Sequence, residues 1–110
     1  MVRQKDELLQ GTLDMLVLKA LQLGALHGWG ITDRLAQGSE DVLRIGQGSL
    51  YPALYRLERQ GFVTSEWRIT ENNRRARYYS LTTTGKKRLS DERAMWQRMA
   101  RAVDLVLAMT

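Results

Sequence analysis

The chain has 110 residues, 44% of them hydrophobic, which suits one domain or one domain plus an extra element and leaves too little core to enclose a large substrate cavity. Its net charge is +5 and its pI about 10.0, which points to an anionic partner such as nucleic acid or a membrane surface. It has no cysteine, so disulfide frameworks, thiolate zinc sites and cysteine nucleophiles are excluded, and the composition suits a reducing compartment.

The N-terminal MVRQKDELLQGT carries acidic residues where a signal peptide has its apolar run, and no apolar stretch approaches the roughly 20 residues of a membrane span. These features predict a soluble cytoplasmic protein. LLQGTLDMLVLKALQLGAL, residues 8–26, predicts a first helix, with Thr12 as an N-cap or first-turn residue and Gly24 at the end. Leu13, Leu16, Val17, Ala20 and Leu21 form one apolar stripe, while Met15, Leu18 and Leu23 fall outside it. A helix apolar over most of its circumference is buried on more than one side, and in so small a chain a partner subunit can supply the second. A short second helix follows over about 29–38, with Trp29, Ile31 and Leu35 assigned to the face against the first and Gly38–Ser39 at its end.

GQGSLYPALYRLERQG, residues 46–61, predicts a third helix closed by Gly61 as a C-terminal glycine cap. On a wheel of about 100° per residue, Leu50, Ala53, Leu54 and Leu57 share one side. Gly48, Pro52, Tyr55, Arg56 and Arg59 lie opposite, with Ser49 and Tyr51 on the flanks. Pro52 is placed in the first turn, where helical N–H groups lack intrahelical partners. The glycines let backbone N–H groups approach a phosphate at the positive end of the helix dipole. Ser49 and the tyrosine hydroxyls can bond phosphates or base edges, and arginine can fork onto guanine. Plainer readings stand beside these: Gly48–Ser49 as a cap alone, half-buried tyrosines with wet hydroxyls, and a solvated Arg59.

From Phe62 the period becomes two. FVTSEWRIT and RYYSLT predict strands, and the polar ENNRRA between them predicts a hairpin turn with two asparagines that tolerate positive φ. The tip residues Asn72, Asn73, Arg74, Arg75 and Arg77 carry a charge cluster that turn chemistry does not explain but phosphates or a narrow minor groove would. A solvated charged turn is the bland alternative. Residues 56–88 hold nine basic and three acidic side chains, a net of +6, so the whole excess charge sits in the middle third. Lys86, Lys87 and Arg88 are candidate additional backbone contacts.

A long final helix follows, with Thr82 or Thr83 as N-cap. Leu89, Trp96 and Val103 are seven apart, and Met99 and Val106 take the matching positions of a short heptad seam that Glu92 interrupts. Packing against a second copy is the preferred reading, with 1–82 as the DNA-binding domain and 83–110 as the dimerisation helix. Trp96 is a packing anchor on the plain reading. On the sharper one, Trp96 and its symmetry mate line a pore or cleft for a flat aromatic effector that shifts DNA affinity, with Met15 as a further candidate contact.

Three helices, a hairpin and a terminal helix make a mainly α chain laid out as a winged helix-turn-helix, in which one helix enters the major groove of double-stranded DNA. The motifs LLQGTLDMLVLKAL, HGWGITDRL, GSLYPALYRLERQGFV and RARYYSLTTTGKKRL resemble, in this order, the PadR-like transcriptional regulators. The resemblance covers nearly the whole chain. It implies a winged-helix homodimer of the short subfamily that usually represses a nearby promoter, often with release by a small phenolic or drug-like molecule. ENNRRAR departs from the pattern by lacking the glycine that many members carry at the wing. Catalysis is not expected: His27 is the only histidine, and no acid–base cluster has a useful spacing. No cofactor or metal is implied. An RNA-binding or protein-bridging winged helix would also fit the basic hairpin, although an aromatic base-stacking platform is missing.

Overall fold

A computed structural model describes residues 2–110, with side chains from residue 12 onward. The elements in chain order are α1 (Val2–Gln22), β1 (Leu26–His27), α2 (Gly28–Gly38), α3 (Gln47–Arg59), β2 (Val63–Ile69), β3 (Arg75–Leu81) and α4 (Thr83–Leu107). The strands form one antiparallel sheet in the order β1-β3-β2. Register pairs Val63 with Leu81 at the base of the β2–β3 wing and Ile69 with Arg75 at its tip.

The core forms where the apolar stripes of the helices meet. Leu13, Val17, Leu18 and Leu21 of α1, Ile31 and Leu35 of α2, and Leu50, Ala53, Leu54 and Leu57 of α3 are all buried. Each fully buried leucine stabilises the fold by about 2 kcal/mol relative to exposure. Val63 and Tyr79 close the core from the wing, Leu89 closes it from α4, and Ile45 anchors the α2–α3 loop. Leu18 lies outside the predicted stripe of α1 and is nevertheless fully buried.

Several expectations are corrected. Helix α1 starts at Val2, so Thr12 is an interior residue rather than an N-cap. It stops at Gln22, and Gly24, at φ 143°, turns the chain into β1, where Leu26 pairs with Tyr79 and His27 with Tyr78. Trp29 does not face α1; it is 71% exposed. Trp29 and Ile31 are two residues apart, about 200° around the helix, so the burial of Ile31 turns Trp29 outward. Leu89, assigned to the dimer seam, is only 5% exposed and packs in the chain's own core. The first turns of α4 thus contribute to the chain's own core through Leu89.

Helix α3 ends in a Schellman motif: Gly61, at φ 81°, donates to the Glu58 carbonyl and Phe62 to the Leu57 carbonyl. At the same spot Thr82 Oγ1 and Thr84 Oγ1 both donate to the Gly61 carbonyl, at 2.7 and 2.9 Å, and Thr82 N–H donates to the Phe62 carbonyl. Thr82 Oγ1 also accepts from Gly85 N–H, which makes Thr82 the N-cap of α4. A Cβ at Gly85 would collide with the Phe62 carbonyl, so only glycine allows this close approach. The end of α3, the wing root and the start of α4 are therefore knotted at two peptide units.

Past this knot α4 runs outward. Every residue from 101 is exposed, and the chain measures 58 × 30 × 22 Å.

Candidate nucleic-acid interface

Helix α3 buries its leucines and thereby turns its other side to solvent. Gly48, Ser49, Tyr51, Pro52, Tyr55 and Arg59 are all exposed. Gly46 is the N-cap and makes no side-chain cap bond. Ser49 is thus not the cap, and its hydroxyl lies in the exposed first turn. Pro52 is the sixth residue of α3 rather than a first-turn residue, so no N–H at 52 donates to the Gly48 carbonyl. That interruption falls on the solvent side. Tyr55 is 64% exposed, with the Arg59 guanidinium 5.6 Å from its ring centroid.

Two of the predicted helix contacts have partners inside the chain. Arg56 Nη2 donates to Asp14 Oδ1 of α1 at 2.8 Å, and the pair is half-buried. Arg56 thus ties α3 to α1, a pairing across 42 residues that no local pattern reveals. Tyr51 leans toward the start of α2. A Cβ at Gly28 would overlap its hydroxyl, which gives the glycine after His27 a steric reason.

The wing carries its charge in two ways. The turn is closed by Asn73 N–H to the Thr70 carbonyl and Thr70 N–H to the Arg74 carbonyl. Asn73 sits at φ 60°, so asparagine takes the left-handed position where glycine would otherwise serve. Asn72, Asn73 and Arg74 are exposed at the tip, and the Arg74 side chain has no partner among the described residues. Arg75 and Arg77 belong to β3, not to the turn. Both guanidinium groups lie over the Trp67 ring, at 4.9 and 5.6 Å. Arg77 Nε also donates to Ser65 Oγ, which donates to Glu58 of α3 at 2.6 Å. That relay fastens the wing to α3, while Arg74 and Arg75 remain available to an anion. Beneath it, burial pushes the Tyr79 hydroxyl above the usual tyrosine range, and the nearby Arg77 charge opposes that.

Lys87 and Arg88 pair with Asp91 and Glu92 one turn on, at 3.5 and 2.8 Å, while Lys86 is exposed. His27 caps α2: its Nδ1 accepts from Gly30 N–H at 2.9 Å, and its ring stands edge-on to Tyr78. Among the described residues no group of His, Asp or Glu is arranged to hold a metal ion, and no helix is long and apolar enough to cross a membrane.

The seam of α4 is open beyond Leu89. Trp96, Met99, Val103 and Val106 are 46–63% exposed. Met15 and Trp96 come together: with Thr12, Glu92, Met95 and Met99 they line a pocket of about 250 Å³ between α1 and α4. Sequence reasoning missed Trp29 and Trp67, which line a second cleft between α2, α3 and the wing.

Comparison with known proteins agrees with this geometry. Residues 17–91 match the family model described as "Transcriptional regulator PadR-like family". Transcriptional regulator Rv3488 of Mycobacterium tuberculosis is 36% identical over 78 residues, 71% of this chain and 69% of that protein. The crystal structure of a PadR family transcriptional regulator from Eggerthella lenta superposes with a TM-score of 0.81 at 31% identity, covering 99% of this chain and 94% of that one. A transcriptional regulator from Clostridium thermocellum shares the fold, with a TM-score of 0.81 at 24% identity over 89% of this chain and 95% of that one.

Proposed function

The chain belongs to the PadR-like family of transcriptional regulators, and from that premise we propose that it is a cytoplasmic repressor that binds a pseudo-palindromic operator as a homodimer. The observation that carries this reading is the joint exposure of Ser49, Tyr55 and Arg59 on α3 beside the unpartnered Arg74 at the wing tip. Helix α3 enters the major groove, where Ser49 and Tyr55 reach base edges. The arginines at the wing tip and Arg59 hold the phosphates. The exposed seam on α4 packs against a second copy, and the two reading helices then address half-sites about 34 Å apart or a multiple of that.

The pocket holding Met15 and Trp96 supports the finer reading that a flat aromatic molecule binds beside the dimer seam and lowers operator affinity. Such a ligand acts only through its different affinity for the two dimer geometries.

The test is a mobility-shift titration of the promoter fragment against salt. A log–log slope of several units and preference for one inverted repeat are expected, because phosphate contacts release counterions. A shallow slope without sequence preference would sink the regulator reading. For the effector, saturable quenching of tryptophan emission by flat aromatics is expected in the native protein and not in Trp96→Ala.

A further inference from the structure

Trp29 and Trp67 are large apolar side chains left 71% and 55% exposed, outside the α4 seam. They share one cleft of about 620 Å³, with Trp29 on the first turn of α2, Tyr51 on α3, and Trp67, Arg75 and Arg77 on the wing. Among the described residues no acidic side chain lines it. Its walls are therefore indole and phenol rings with guanidinium groups laid over one of them. This combination suits a ligand with alternating anionic and apolar parts rather than an apolar peptide.

We propose that this cleft seats the sugar–phosphate backbone of one DNA strand, an inference that rests on the regulator reading above. Arg75 contacts the phosphates, and Trp67, by holding Arg75 and Arg77 against its face, presets their forks. Trp29 packs on the neighbouring deoxyribose or donates its indole N–H to a phosphate. The interface thus spans three elements, with α2 as a backbone clamp between the reading helix and the wing. Contacts of this kind position the protein and carry no sequence information.

Labelled-DNA anisotropy with native protein, Trp29→Ala, Trp29→Phe and Trp67→Ala tests this, on the operator and on a random duplex, with thermal melts to check folding. Loss of one charge-assisted hydrogen bond or its equivalent packing predicts roughly tenfold weaker binding by each alanine variant. The loss should be equal on both DNAs, with unchanged melting and partial rescue by Trp29→Phe. The chain has three tryptophans, so comparison of the native protein with Trp→Phe variants apportions the emission among them. DNA should shield native emission from acrylamide, and a Trp29→Phe/Trp67→Phe variant should lose most of that shielding. Native-like affinity of both alanine variants, or a loss confined to the operator, would overturn the backbone assignment while leaving the regulator reading intact. Unchanged DNA affinity with saturable quenching of Trp29 and Trp67 by salicylate would overturn it in favour of a small ligand. Failure of the native protein itself to bind any duplex overturns both readings.

Discussion

The two ends of this molecule both expose large apolar side chains, but in different company. At the wing end, Trp67 lies beneath Arg75 and Arg77, and Tyr55 lies beside Arg59. Along the outer part of α4, Met95, Trp96, Met99, Val103 and Val106 are exposed, and among the described residues no arginine is stacked on the Trp96 ring. Apolar surface dressed with cations suits a polyanion, whose desolvated sugars and charged phosphates need both. Apolar surface without that dressing suits a surface like itself.

Breaking the second end should have the larger effect. Met99→Asp together with Val103→Asp places charge in the seam. The protein is expected to sediment as a monomer, and its operator affinity to fall by roughly 10²- to 10⁴-fold, because the second half-site no longer binds intramolecularly. A dimeric double variant would contradict the division between the two ends.

Within the cationic end, a finer contrast can be drawn. Arg74→Ala is expected to weaken operator and random DNA alike and to lower the salt slope by about one. Tyr55→Ala or Ser49→Ala should cost about 1–3 kcal/mol on the operator with little change on random DNA. Competition binding on both DNAs at several salt concentrations separates these outcomes, and equal losses for the helix variants would refute the assignment of reading to α3.

The smallest effect belongs to the scaffold between the two ends. Burial raises the pKa of Tyr79 and so favours its neutral hydroxyl in the folded state. An unfolded tyrosine ionises near pH 10. The stabilisation from this group is therefore complete below about pH 10 and is lost as pH rises through the higher folded value. Urea midpoints across that range should fall less steeply in Tyr79→Phe than in the native chain.

Much of this was legible where a single period governed a stretch. The wheel of α3 separates Leu50, Ala53, Leu54 and Leu57, all buried, from Tyr55 and Arg59, both exposed. The polar turn announced an asparagine at positive φ, and Asn73 supplies it. Other features depend on distant partners. Strand β1 has two residues, too few to show alternation, and exists only because β3 pairs with it. Arg56 looked solvent-facing until Asp14 arrived from α1. Leu89 shares the heptad phase of Trp96 and Val103, yet it is buried in the chain's own core, on a helix that packs against α1. Trp29 was legible in principle, since it and Ile31 cannot share a helical face, but hydrophobicity alone placed it inside.

The knot at Gly61 and Phe62 gives the molecule a protractor. Because the start of α4 grips the carbonyls of Gly61 and Phe62 while their N–H groups close the end of α3, the angle between α3 and α4 is set inside one chain. On the proposed dimer, the spacer between operator half-sites is then dictated by a few threonines and a glycine that touch neither DNA nor the second copy. A change in the preferred spacer would originate at 82–85, and the reading face of α3 would pass through it unaltered.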